Sequence, residues 1–138
     1  MKYAEKFGLR PADRIVENIT GLGISKHHAI YLGRDSTGTE WIVENFMGQG
    51  VRLVTAAAHF SRGNPVHHIE RFRGTPQQRK CAVQWALQQV GRPYHLIQFN
   101  CEHFAEQVQT GRPRSRQVER VWVGLAVLVI IQLVKTNR

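Results

Sequence analysis

Cys101 stands where a loop turns into a helix. Asn100 before it is a good N-cap, and Phe104, Ala105 and Val108 follow at helical spacing. Backbone N–H groups at such a helix end favour negative charge, which suits a thiol nucleophile. The same groups could hold an oxyanion developing during acyl transfer. A base must take the thiol proton, and the chain's seven histidines compete for that role. Cys81 lacks this setting: it lies mid-helix beside Ala82 and Trp85 and reads as a core residue. Two cysteines in such unlike surroundings do not make a disulfide framework. No histidine forms a metal-ligand spacing with a cysteine, so neither zinc nor any other cofactor is expected.

The elements that must position Cys101 read as one compact α+β unit over residues 1–110. Pro11-Ala12-Asp13 turns into a short strand at Arg14-Ile15-Val16-Glu17. Gly21-Leu22-Gly23 is a turn, not a phosphate loop, since no helix follows it. His27–Gly33 and Trp41–Phe46 form a hairpin across the polar loop 34–39, and 51–54 and 66–70 are further strands. His67 and His68 fall in the last of these; His59 and His95 fall in loops. Thr75 as N-cap, Pro76 at the first helical position and Gln78 as its box partner open a helix that Gly91 stops. A second helix begins at or just after Asn100-Cys101 and ends at Gly111 and Pro113.

The charge is unevenly spread. The 138 residues carry a net +9, which points to an anionic partner. Residues 1–110 hold thirteen Lys/Arg against nine Asp/Glu, whereas residues 111–138 hold six against one. Basic residues in 1–110 are scattered without interleaved aromatics, so no nucleic-acid partner is expected. The tail holds the only long apolar run, Val121–Val134, behind Arg112, Arg114, Arg116 and Arg120. A basic stretch at 111–120 followed by a hydrophobic segment at 121–138 reads as a linker and a membrane anchor beside an anionic leaflet. The fourteen-residue run spans only about 21 Å at ~1.5 Å per residue, short of a bilayer core of roughly 30 Å. Arg120 and Lys135 can snorkel to lengthen it, and no polar face marks a surface helix. The basic flank places the domain on the cytoplasmic side. Without an apolar stretch behind Met1-Lys2-Tyr3, no secretory leader is expected, and the cysteines stay reduced.

His27-His28-Ala29-Ile30-Tyr31-Leu32-Gly33, followed some seventy residues later by Asn100-Cys101-Glu102-His103-Phe104, resembles the lecithin:retinol acyltransferase-like family. That family is a circularly permuted branch of the papain-like thiol hydrolases, in which histidine precedes cysteine. Pro11-Ala12-Asp13 is similar to the family's Pro-Gly-Asp motif, with Ala12 in place of glycine. The resemblance covers about residues 8–110. It implies a permuted papain-like fold: a small antiparallel sheet packed against helices, with the nucleophile at a helix N-terminus.

It also implies roles. Cys101 matches the nucleophile that forms a thioester, and His27 matches the base. His28, on the opposite face of the same strand, is a packed or solvated side chain, and His103 packs or caps. Where the family commonly places a second histidine, this chain has Glu44, with Asn45 beside it. Either can orient an imidazole. The two face opposite sides and alternation does not choose between them, though Glu44 is favoured. The function expected is a membrane-associated acyltransferase or phospholipase A-type hydrolase acting on a phospholipid or other acyl ester. A cysteine peptidase or amidase with the same site is the alternative. So is a membrane-tethered regulatory module without catalysis.

Overall fold

The computed structural model describes residues 2–19, 25–112 and 114–136; the turn expected at Gly21-Leu22-Gly23 and the stop expected at Pro113 lie outside them. Strands form where β-branched and aromatic residues cluster: β1 (Arg14–Asn18), β2 (Lys26–Arg34), β3 (Glu40–Phe46), β4 (Gly50–Thr55) and β5 (Val66–Glu70). They pair in the order β4-β3-β2-β1-β5, with every neighbouring pair antiparallel. Helices cover both faces, which is why β2 and β3 read as nearly unbroken apolar runs. One face buries Ile15, Ala29, Tyr31 and Ile42. The other buries Ile30, Val43 and Val51 against Phe99, Phe104, Ala105 and Val108.

The expected capping signals are present. Thr75 and Gln78 close a capping box on α3 (Pro76–Gln88). Asn100 accepts from the N–H groups of Glu102 and His103 at the start of α4 (Cys101–Thr110), and His103 Nδ1 accepts the Asn100 N–H in return. Gly111 ends α4 in the left-handed conformation. Two short helices were not legible as such: α1 (Tyr3–Phe7) and α2 (Ala56–Phe60), which stack Tyr3 and Phe7 on Phe60 at centroid distances of 4.5 and 5.2 Å. His59, expected in a loop, therefore lies in α2 and is fully buried.

Cys81 is exposed, not part of the core. Helix α3 lies at the margin of the domain and buries only a narrow seam of Ala82, Trp85 and Ala86 beside Phe104. Cys81 falls on the solvent side of that seam.

Two backbone positions fix the approach to the site. Ala12 has φ 70°, a left-handed conformation costing about 1–2 kcal/mol in an L-residue, which explains why glycine suits this position. The neighbouring Asp13 carboxylate accepts from Phe72 N–H at 3.0 Å, Arg71 at 2.9 Å and Arg79 at 3.1 Å, tying β1 to the segment after β5. Burial opposes that carboxylate's charge, but these bonds win and lower its pKa. At Gly50, with φ 74°, an added Cβ would collide with the Arg92 carbonyl. Val51 pairs there with Gly91 and Arg92, laying the segment that leads to Cys101 along β4. Gly50→Ala should therefore destabilise the fold by roughly 1–3 kcal/mol, read as a lower urea midpoint.

Helix α5 (Arg116–Thr136) has 21 residues and is longer than the apolar run alone. It takes in half of the basic stretch expected as linker. At ~1.5 Å per residue the whole helix reaches roughly 31 Å, of which the added first turns carry Arg116, Glu119 and Arg120, so the apolar run itself keeps its expected length. Among the described residues it is the one helix long and apolar enough to cross a membrane.

Candidate active site

Strand alternation and sheet register together build the site. His27 and Glu44 lie on one face of adjacent strands, and β2 pairs with β3 so that Glu44 sits opposite Ala29, diagonal to His27. Glu44 Oε2 accepts from His27 Nε2 at 2.7 Å. That leaves His27 Nδ1 free of Glu44, and the neighbouring Cys101 is among the groups that raise the imidazole's pKa. Cys101, at the first position of α4, meets His27 at the end of the sheet and also points its sulfur at the Lys26 carbonyl, 3.8 Å away. Both residues are nearly buried. The Asn100 cap takes the N–H groups of Glu102 and His103 and leaves that of Cys101 next to the sulfur.

The structure thus brings Cys101, His27 and Glu44 together. Asn45 points the other way, where its Nδ2 donates to the Phe99 carbonyl at 2.7 Å. His28 packs, buried, toward Arg14 and Glu102; burial and then the Arg14 charge push its pKa down to about 3, so it stays neutral. His103 caps its own helix. His67 and His68 are exposed on β5, and His95 lies in the loop before α4.

Four residues around the site carried no visible signal in the sequence. Glu44 accepts from His59 Nδ1 at 2.9 Å, from Arg52 at 2.7 Å and from Arg62 at 2.7 and 2.9 Å. Behind it, Glu17 lies 3.0 Å from His59 Nε2 and 3.7 Å from Arg62. His59 looked like a loop residue because Ala56-Ala57-Ala58-His59-Phe60 is too short for a periodic pattern; Thr55, which accepts the Ala58 N–H, was the available clue. One ligand atom each from His27, Glu44 and His59 lie within 4.8 Å of one another, a spacing that could surround a divalent ion. Two guanidinium groups, those of Arg52 and Arg62, also bring positive charge to the same carboxylate.

The electrostatics follow from this network. Burial disfavours a charged His27, but hydrogen bonds to Cys101 and Glu44 outweigh it and raise its pKa to about 9. Burial likewise opposes the Glu44 charge, and hydrogen bonds from His27, His59 and Arg62 overcome it, holding the carboxyl far below the usual range. Tyr94, near the sulfur, is pushed up to about 12 by burial and by the Cys101 charge.

The pair of Cys101 and His27 opens into a cavity of about 520 Å³. Its walls are mostly apolar: Phe46, Met47, Leu96 and Ile97 from the domain, and Val121 and Leu125 from α5. Lys26 and Arg62 supply positive charge at its lining.

Residues 9–106 match the family model described as permuted papain-like amidase enzyme, YaeF/YiiX, C92 family. The match spans Cys101, His27 and Glu44, and its permuted papain-like character agrees with the α+β architecture and with histidine preceding cysteine. The model matched is the amidase one and not that of the lecithin:retinol acyltransferase-like branch. No curated protein matches the chain.

Proposed function

The chain belongs to the permuted papain-like amidase family, and on that premise we propose that it is a membrane-associated cysteine acyl hydrolase or acyltransferase whose substrate is a phospholipid or another lipid acyl ester. The observation that carries this reading is the apolar cavity that opens from Cys101 and His27 and is walled partly by α5. Its lining also holds Ser25, Asn64 and Gln117, but the apolar walls dominate and offer a bed for an acyl chain. The sequence likeness to the lecithin:retinol acyltransferase-like branch supports the same substrate class.

In the proposed mechanism the Cys101 sulfur attacks the acyl carbonyl carbon. The Cys101 N–H, at the positive end of α4, faces the oxygen that becomes negative. His27, held cationic by Glu44 and by the sulfur, donates its proton to the leaving alkoxide and a thioester forms. Water or an acceptor amine then attacks the thioester, His27 takes its proton, and the free acid or transferred acyl product leaves the thiolate behind. Glu44 keeps the imidazole in orientation and stabilises its positive charge. The basic residues ahead of the apolar run, Arg112 to Arg120, would set the domain against the anionic cytoplasmic leaflet, with α5 as anchor.

Because the His27 imidazolium is the acid for the leaving group, kcat/KM should fall tenfold per pH unit above an alkaline limb near 9. A pH profile of fatty-acid release from phosphatidylcholine vesicles checks this; a profile flat from pH 7 to pH 10 would remove His27 from that role. The second reading, cleavage of an amide bond, is favoured by the amidase description of the matching family. Ester and N-acyl substrates with the same chain separate the two, since both fit the cavity but differ in the leaving group.

A further inference from the structure

Glu102 follows the nucleophile directly and is buried, and its carboxylate is committed to the start of α5. It accepts from Ser115 Oγ at 2.7 Å, from Gln117 N–H at 3.0 Å and from Gln117 Nε2 at 3.4 Å. Gln117 also reaches β2: Oε1 accepts from Lys26 N–H at 3.4 Å, and Nε2 donates to the Lys26 carbonyl at 3.4 Å. That carbonyl is the one facing the Cys101 sulfur. A buried carboxylate is costly unless fully partnered. Here its partners fix the rotation and height of α5 relative to the nucleophile, which a helix serving only as a tether does not require.

The fixed rotation has a consequence. Val118, Val121, Trp122 and Leu125 recur at i, i+3, i+4 and i+7, so they share one face, and all four line the cavity that holds Cys101 and His27. From Gln117 to Leu125 this face runs roughly 12 Å along the helix at ~1.5 Å per residue. Leu96 and Ile97, exposed apolar residues of the loop before α4, line the same cavity.

We propose that α5 is a wall of the substrate site as well as an anchor: one long acyl chain lies between the 118–125 face of α5 and the 94–97 loop, reaching Cys101 from the bilayer side. The proposal rests on the acyl-chain reading of the cavity given above. It makes α5 a determinant of chain length, with Leu125 and Val121 as the residues that set it.

The test is alkylation of Cys101 in the full chain carrying Cys81→Ser, reconstituted in phosphatidylcholine nanodiscs and followed by intact mass. Iodoacetamide and N-dodecyl iodoacetamide form the same S–C bond and release iodide, so their rate ratio reports the alkyl chain alone. Burial is worth about fourfold per methylene, so the ratio should exceed tenfold in the parent. Leu125→Trp and Val121→Trp, which fill the cavity, should cut the ratio at least tenfold, with a thermal midpoint close to the parent's as the control for an intact fold. Val127→Trp, half a turn away on the opposite face, should leave the ratio within twofold. Reagent partitioning into lipid is common to all variants and cancels. Equal ratios for Leu125→Trp and Val127→Trp would overturn the proposal. A ratio that behaves as expected in a protein that releases no fatty acid would keep the α5 wall and refute the catalytic reading.

Discussion

Cys101→Ala should lower acyl release from lipid by on the order of 10⁴-fold or more, the loss seen when the nucleophile of a coupled catalytic set is removed. The effect is large because His27, Glu44 and the helix N-terminus act only through the sulfur. The side chain is small, and it donates a long hydrogen bond to the Lys26 carbonyl at 3.8 Å. Folding should therefore be preserved, and the thermal midpoint of the variant serves as the control. Cys101→Ser keeps the shape but supplies a hydroxyl that the same imidazole activates poorly, so it should be nearly as inactive. Residual activity within tenfold of the parent in either variant would move the chemistry to another group.

Glu44 is the position with the largest combined effect on stability and rate. It is fully buried and carries His27, His59, Arg52 and Arg62 on two oxygens. Removing one member of a buried charge set costs about 3–5 kcal/mol because the others lose compensation. Against a total of about 5–15 kcal/mol, Glu44→Ala should bring the urea midpoint down sharply or prevent folding. Glu44→Gln keeps the shape and loses the charge. It should fold, lower kcat/KM by about 10²–10⁴-fold, and move the alkaline limb below 9, since a carboxylate no longer raises His27. A merely structural Glu44 would lower the midpoint and leave the limb in place.

The same two groups set the pH range of stability. His27 has a folded pKa above its ordinary 6.5, so its contribution is complete below pH 6.5 and is lost as pH rises through about 9. Glu44 has a folded pKa below its ordinary 4.5, so its contribution holds above that value and is lost on acidification. Denaturation midpoints should therefore be highest between these limits.

Much of the scaffold was legible because its signals are local. The capping box at Thr75 with Gln78 and the N-cap at Asn100 mark helix starts within four residues, whereas the return bond from His103 to Asn100 was seen only in the structure. The β-branched and aromatic clusters mark β1 to β5. The position of Cys101 at the head of α4 follows from Asn100 alone. The choice between Glu44 and Asn45 was not legible, because a period of two tells which residues share a face but not which face looks at His27; that needs the register in which Glu44 meets Ala29. The cluster of Glu17, His59 and Arg62 around Glu44 was hidden for a related reason. Its members come from β1, from a five-residue helix and from the turn after it, and only tertiary packing joins them. Cys81 was misread because its apolar neighbours belong to a seam too narrow to include it.

The central claim is that Cys101 carries the acyl group, and intact mass of the protein quenched during turnover with phosphatidylcholine vesicles tests it most directly. Fast hydrolysis can hide the adduct, so Cys101→Ala should be run beside the parent, with free fatty acid measured in the same tubes. The account predicts one acyl chain added to the parent, labile to hydroxylamine, none added to Cys101→Ala, and fatty acid released by the parent alone. No acyl adduct and no fatty acid in any sample, with the folded protein bound to the vesicles, would contradict it and leave a membrane-tethered module that does no lipid chemistry.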